Sequence, residues 1–404
     1  MKIGVYGGTF DPPHLGHMEA AKAAVKAMGL DKLLFIPAAQ PPHKDLPSLG
    51  ASGEQRLEMT ALMADGISLE LKRAGMAQAD PIEFGRTGPS YTADTLALLR
   101  ERYPQDELWL LMGTDMFLTF PDWREPERIA SLTGLAAFAR EDGDEESLNW
   151  QASLMRERFG ARVELIRLDK VTEVSSTEVR ALLAGHSEKA RGSLWCQVYG
   201  YILLQNLYGA NADLKRLGIE DLRCASWSMV KAKRVPHIRG TEEEAVRLAK
   251  RWGADPELAR RAGILHDCTK YLDLDAQLKL CEKYDIVLDN LERKTVKLLH
   301  SKTGAAIARH VFGEPDEVYE AIYWHTTGKA NMKTLEKVLY LADYIEPSRE
   351  EFEGLGELRK LAYEDIDKAL LLGCELTIQD MKARGNQVHH NTQEARDFLK
   401  GRSE

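Results

Sequence analysis

Residues 4–17 read GVYGGTFDPPHLGH. A short apolar run that begins in KIGVYG ends at Gly7-Gly8, a tight turn follows, and a helical period starts near His14 and closes at Gly29. Glycine lets backbone approach a ligand closely, and a helix N-terminus offers unpaired N–H groups and a positive dipole end to an anion. His14 and His17, three positions apart, share one helix face and suit two donors gripping one phosphate chain. Strand, glycine turn and helix in this order predict the first crossover unit of a parallel sheet.

The following segments repeat the pattern. KLLFIPA, ELWLLMG, GLAAFAR and RVELIRL read as buried strands, and SYTADTLALLRERYP reads as a helix stopped by Pro104. The expected fold is a Rossmann-like α/β domain, a parallel sheet with helices on both faces, whose ligands bind at the carboxyl ends of the strands. A second phosphate-type segment, VSSTEVRALL (174–183), offers Ser175 and Ser176 as helix caps and Arg180 as a phosphate contact. Strand signals end after about residue 185, and from roughly 215 onward the chain reads as helix. Thr241 with Glu244 predicts a capping box, and Asp255-Pro256 a cap and first-turn pair. The predicted organisation is 1–209 and 210–404, an α/β domain followed by an all-α bundle.

Bulk properties agree. A chain of 404 residues exceeds one ordinary core, so two domains of about 200 residues are expected. A net charge of −9 supplies no global field for nucleic acid, and the local basic stretch Lys231, Lys233 and Arg234 reads as a solvated helix end. No window approaches a membrane span, and the N-terminus has no apolar signal region. Five scattered cysteines without a C-x-x-C pair predict reduced thiols in a cytosolic, cytoplasmic setting.

In the helical half, AGILHDCTKYLD (262–273) places His266 and Asp267 where a core takes apolar groups. Burying an imidazole and a carboxylate unpaired costs several kcal/mol, roughly 2–7 per polar group and more for a charge. RVPHIRG, KLLHSKTG, AIYWHTTG and YLADYIEP add His237, His300, His325 and Asp343, each beside apolar or small residues. A bundle projects side chains from several helices to one point, and imidazoles with carboxylates ligate iron, manganese, zinc or magnesium. A cation there removes the cost of burying Asp267 and Asp343. Lys270 lies one helical turn past Asp267 and is assigned to binding or neutralising phosphate. Arg239, Arg349, Thr326 and Thr327 are weaker candidates, and His186, His310, His389 and His390 lack the apolar context.

GGTFDPPHLGH with SSTEVR resembles the H-x-G-H nucleotidyltransferase superfamily, and IPAAQPPHK, GPSYTADTL and GTDMFLTFPDW narrow the resemblance to bacterial nicotinate-nucleotide adenylyltransferase over about residues 1–209. The resemblance implies transfer of AMP from ATP to nicotinate mononucleotide, giving the deamido dinucleotide and pyrophosphate, with Mg²⁺ at the triphosphate. It implies that His14, His17, Lys44 and Arg180 supply positive field. It assigns Gly8, Thr9, Phe10, Thr92, Asp115, Trp123, Ser175, Ser176 and Thr177 to nucleotide binding, with Trp123 offering a ring face for stacking. AGILHDCTKYL, AIYWHTTG and YLADYIEPSR resemble the YqeK family of HD-domain phosphohydrolases over roughly 222–380. That resemblance implies symmetrical hydrolysis of diadenosine tetraphosphate to two ADP. It implies one or two divalent metals, iron foremost and manganese as the alternative. His237, His266, Asp267 and Asp343 would hold the first, and His300 and His325 would extend the site to a second. Asp267 and Lys270 take catalytic roles. A nucleotide sensor without turnover, or a hydrolase for another nucleotide, is the alternative. No nucleic-acid or membrane partner is expected, and homo-oligomerisation is left open.

Overall fold

The computed structural model describes residues 1–41, 50–86, 88–139, 144–168 and 174–403. The chain divides into two compact units, residues 1–211 and 212–404.

The first unit contains, in chain order, β1 (Lys2–Gly8), α1 (Leu15–Met28), β2 (Lys32–Pro37), α2 (Gly53–Glu70), β3 (Ala77–Ala79), α3 (Thr92–Arg102), β4 (Glu107–Gly113), α4 (Thr114–Leu118), α5 (Pro126–Leu132), β5 (Gly134–Ala139), α6 (Asp144–Phe159), β6 (Val163–Arg167), α7 (Ser176–Ala184), α8 (Lys189–Gly192) and α9 (Cys196–Leu204). The six strands form one sheet in the order β3-β2-β1-β4-β5-β6, and every pairing is parallel. Strands covered on both faces must be apolar throughout, which is why KLLFIP and ELWLLMG read as continuous runs. Side chains of Ile3, Val5, Leu34, Ile36, Leu108, Leu110 and Leu135 form one layer of core with α3, α5 and α6. Trp109 pairs with Gly134 across β4 and β5, and a Cβ on Gly134 would lie 2.6 Å from the indole, so the glycine makes room for the ring. Three-residue β3 carries too short a pattern to be read from sequence.

The chain order reverses between β1 and β4, and the carboxyl ends of these neighbours, Gly8 and Gly113, flank the crevice where such sheets bind ligands.

The second unit is helical: α10 (Ile219–Ser228), α11 (Val235–Trp252), α12 (Pro256–Leu265), α13 (Leu274–Lys283), α14 (Val296–His310), α15 (Asp316–Trp324), α16 (Thr334–Ile345), α17 (Leu355–Glu364), α18 (Ile366–Ala383) and α19 (His390–Ser403). Asp255 caps α12, its carboxylate accepting from the N–H groups of Glu257 and Leu258. The capping box expected at Thr241 is not there. Helix α11 starts six residues earlier, at Val235 with Pro236 in its first turn, and Thr241 and Glu244 are buried inside that helix. The reduced-thiol expectation applies to Cys268, Cys281 and Cys374, which are free and buried, and not to every cysteine. No helix among the described residues is long and apolar enough to cross a membrane.

Helices α11 and α12 approach closely at Gly263, where a Cβ would meet the Glu242 Cα at 2.6 Å. Backbone cannot move aside as a side chain can. Gly263→Ala should therefore lower stability by about 1–3 kcal/mol, read from urea denaturation; an unchanged midpoint contradicts this contact.

Candidate functional site

In the first unit the turn after β1 leads to His14, the N-cap of α1 in extended conformation, whose N–H donates to His17 Nδ1 at 3.2 Å. The two rings lie 3.8 Å apart, and His17 meets the buried Phe10 ring edge-on at 5.0 Å. Gly7 faces open space, while a Cβ on Gly8 would sit 3.0 Å from the Phe10 ring. Phe10 itself turns the chain with φ 50°. Thr9 is half-buried, and its carbonyl accepts from the fully buried Arg56 at 2.8 Å, which fixes the turn from below.

The fold brings the distant 175–180 segment to this turn. Ser175 caps α7, its hydroxyl accepting from the Glu178 N–H at 3.2 Å. Ser176 Oγ donates to Pro12 O at 2.9 Å, and Arg180 donates to Asp11 O at 2.6 Å and to Thr177 Oγ1 at 3.1 Å. Arg180 thus braces the turn. Asp11 is buried, accepts from Tyr208 at 2.6 Å, and burial with that carboxylate pushes the Tyr208 phenol up. Asp115 is exposed in the first turn of α4, beside the end of β4. Thr92 opens α3 and is half-buried, and Trp123 is half-buried with Phe120 at 5.5 Å. Lys44 lies outside the described residues.

In the second unit six predicted side chains from five segments meet. His237 comes from the first turn of α11, His266 and Asp267 from the end of α12, His300 from α14, His325 from the end of α15 and Asp343 from α16. Two trios form, His237 with His266 and Asp343, and Asp267 with His300 and His325. His237 Nε2 is 2.9 Å from Asp343 Oδ1 and 3.3 Å from His266 Nε2. His300 Nε2 is 3.2 Å from His325 Nε2 and 3.2 Å from Asp267 Oδ1. The other Asp267 oxygen, Oδ2, is 3.6 Å from His266 Nε2 and 3.8 Å from His237 Nε2, so one carboxylate faces both trios.

The tautomers follow from the partners. His266, His300 and His325 each place Nδ1 at 2.8, 2.8 and 2.7 Å from a backbone carbonyl, of Gly263, Lys297 and Ile322. A carbonyl only accepts, so the proton is on Nδ1 and Nε2 presents a bare lone pair. His300 and His325 aim these nitrogens at the buried Asp267 Oδ1, at 3.2 and 3.9 Å, and His266 aims its own at Asp267 Oδ2 and Asp343 Oδ1, at 3.6 and 3.7 Å. Acceptors facing acceptors repel, and a cation between them reverses the sign. The donor set of imidazole nitrogen and carboxylate oxygen fits a divalent transition metal.

Charge states agree with that reading. Burial pushes His266, His300 and His325 down to about 4, so all three are neutral near pH 7. Burial also opposes charge on His237, but hydrogen bonds to Asp343 and Glu346 outweigh it and raise its pKa. Asp267 stays well below the usual carboxylate range although burial works against it, because His266, Lys270 and His300 favour the anion.

Three residues of this centre carried no recognised sequence signal. Arg234, expected to be a solvated helix end, donates from Nε to Asp267 Oδ2 at 2.6 Å; the cation stands one turn before His237, a spacing that could have flagged it. Glu346, 1% exposed, lies 3.0 Å from His237 Nδ1, and Ser348 donates to it from N–H and hydroxyl at 2.6 and 2.8 Å. Lys270 Nζ donates to His300 Nε2 at 2.8 Å and sits 3.4 Å from Asp267 Oδ1. Arg349 donates to Asp343 Oδ1 at 2.9 Å, and Thr326 Oγ1 lies 3.3–3.4 Å from His325 and His300. Arg239 stacks over Trp227 at 5.2 Å, and Thr327 donates to the Gly328 carbonyl. His389 and His390 meet Asp289 away from this centre.

Comparison with known proteins gives two family matches, Cytidylyltransferase-like over residues 5–182 and HD domain over residues 234–348. A Gloeobacter violaceus protein named "Probable nicotinate-nucleotide adenylyltransferase" is 38% identical over 211 residues, 52% of this chain and 98% of its own length. A Chlorobium luteolum protein of the same name is 39% identical over 210 residues, with the same coverage. A solved Clostridium acetobutylicum structure, described as an HD superfamily hydrolase involved in NAD metabolism, is 40% identical across 46% of this chain and 98% of its own, with a TM-score of 0.45.

Acid should loosen this centre with a defined sign. The three imidazoles take up protons near 6.5 when unfolded and near 4 when folded. Between these values the unfolded chain binds more protons, so stability is present above about 6.5 and is lost as pH falls towards 4. In the chelator-treated chain, hydrogen-exchange protection of α12 should fall across that window; flat protection contradicts neutral buried imidazoles.

Proposed function

We propose that this chain, which belongs to the nicotinate-nucleotide adenylyltransferase family through its N-terminal unit and contains an HD domain in its C-terminal unit, catalyses two reactions on adenine nucleotides. One is transfer of AMP from ATP to nicotinate mononucleotide. The other is symmetrical hydrolysis of diadenosine tetraphosphate to two ADP. The boundary of the two functional parts is taken at 209/210.

In the first reaction a phosphate oxygen of the mononucleotide bonds to the α-phosphorus of ATP and pyrophosphate leaves. No protein nucleophile is needed, so positioning and charge are what the protein contributes. Gly8, Thr9 and Phe10 shape the turn, His14 and His17 face the phosphates at the α1 N-terminus, and Ser175, Ser176 and Thr177 bring a second helix start to the same place. Arg180 and Lys44 add positive charge, Arg180 while bracing the turn. Thr92, Asp115 and Trp123 receive the pyridine nucleotide, with the half-buried Trp123 offering its ring for stacking. Mg²⁺ at the triphosphate would add further neutralisation.

In the second reaction a water oxygen bonds to one inner phosphorus, the central P–O–P bridge breaks, and two ADP depart. The observation that carries this reading is the convergence of bare Nε2 lone pairs and the doubly facing Asp267 carboxylate. His237, His266 and Asp343 would hold one divalent cation and His300 and His325 a second, with Asp267 available to both. Iron is the proposed metal, with manganese as the alternative. When bound, such ions acidify a water and neutralise phosphate charge. Lys270, Arg234 and Arg349 line the centre with further positive charge for the polyphosphate. Glu346 fixes the ring of His237, and backbone carbonyls fix the other three.

The test uses the full chain and both assays. Asp267→Ala should cut ADP release from diadenosine tetraphosphate by at least about a hundredfold while leaving AMP transfer intact. His17→Ala should do the reverse, lowering AMP transfer by about 10²–10³-fold. ADP release that survives Asp267→Ala contradicts the centre's role. Wild-type chain that binds the tetraphosphate without releasing ADP overturns the hydrolase in favour of a nucleotide sensor.

A further inference from the structure

The two trios differ in what surrounds them. Behind His237 is a carboxylate, Glu346, held by Ser348 and admitted by Gly240, where a Cβ would lie 2.4 Å from Glu346 Oε2. Behind His300 and His325 are only the carbonyls of Lys297 and Ile322. A carboxylate strengthens an imidazole as a ligand more than a neutral carbonyl does. Charges differ in the same direction. Beside the first trio are the carboxylates of Asp343, itself a member, and Glu346, with Arg349 on Asp343, while Arg234 pairs with the shared Asp267. Around the second the ammonium of Lys270 is unmatched once the shared Asp267 is set aside.

Lys270 does more than stand nearby. Its Nζ touches His300 Nε2 at 2.8 Å and Asp267 Oδ1 at 3.4 Å, two of the three atoms that a cation in the second trio would use. A lysine ammonium and a divalent ion cannot both occupy that space. The side chain is 32% exposed and its four-carbon stem is flexible, so the head group has a route out to solvent.

We propose that Lys270 is a placeholder cation, which fills the second cation position and makes the two divalent ions bind in order, His237–His266–Asp343 first and Asp267–His300–His325 second. The proposal rests on the cation-centre reading above and adds the inequality of its halves. Loading the second position requires the ammonium to leave Asp267 and His300. The displaced head group then faces outward at the rim of the centre, where an incoming polyphosphate offers it new oxygens. Arg234 bonds Asp267 at its other oxygen, Oδ2, and is no part of the His237–His266–Asp343 trio.

Calorimetric titration of the chelator-treated full chain with Mn²⁺, without nucleotide, tests this. Wild type should show two steps, the second at least about tenfold weaker than the first. Lys270→Met should tighten the second step by about tenfold or more and leave the first within about twofold, while Lys270→Arg should keep the second step weak. Two equal steps in wild type, or a second step that Lys270→Met leaves unchanged, overturn the proposal and spare the cation centre. Loss of both steps in Lys270→Met alone also overturns it, since the ammonium would then support binding. A wild-type chain that takes up no Mn²⁺ removes the cation centre itself.

Discussion

Buried acceptor atoms facing one another across Asp267 are the constraint on which the C-terminal unit depends. His266, His300 and His325 spend their only N–H on backbone carbonyls, and Asp267 has none to give. Lys270 and Arg234 supply positive charge, each to one side of Asp267. The helices hold the acceptors in place regardless, because α11, α12 and α16 are fixed by close apolar packing through Gly263, Ile264, Leu339 and Ala342. Fold stability is therefore spent on keeping the centre open to a cation.

The N-terminal unit solves a different problem with backbone. The surface proposed to take phosphate is made of a strand end, a glycine turn and two helix starts, gathered at the place where the sheet order reverses. Few side chains there carry charge of their own. Arg56 and Arg180 are bonded to carbonyls of Thr9 and Asp11, and so shape the turn. The site is consequently set by the precision of the turn, and the distant Ser176–Arg180 segment belongs to it because it clamps Asp11 and Pro12.

Much of this was legible in the sequence. Long apolar runs mark β1, β2, β4 and β5, since a strand buried on both faces has no polar positions to confuse its period, whereas the edge strand β6, expected to be buried, exposes Glu164 and Arg167. Histidines and aspartates beside apolar residues marked the centre, since burial makes an ionisable group conspicuous. What was not legible is tertiary. Arg234 reads as a solvated cation until α11 and α12 cross. Glu346 lies just past α16 in YIEPSR and shows its role only against Gly240. Thr241 with Glu244 mimics a helix start inside a longer helix, which had already begun at Val235.

The central claim is that the six side chains form a place for positive ions. Anomalous diffraction from crystals of the full chain grown with Mn²⁺ tests it most directly. The account predicts two anomalous peaks a few ångströms apart, each within about 2.0–2.3 Å of its imidazole nitrogens and carboxylate oxygens, with Asp267 touching both. Crystals with no peak at His237, His266, His300 and His325, or with manganese bound only elsewhere, would contradict it.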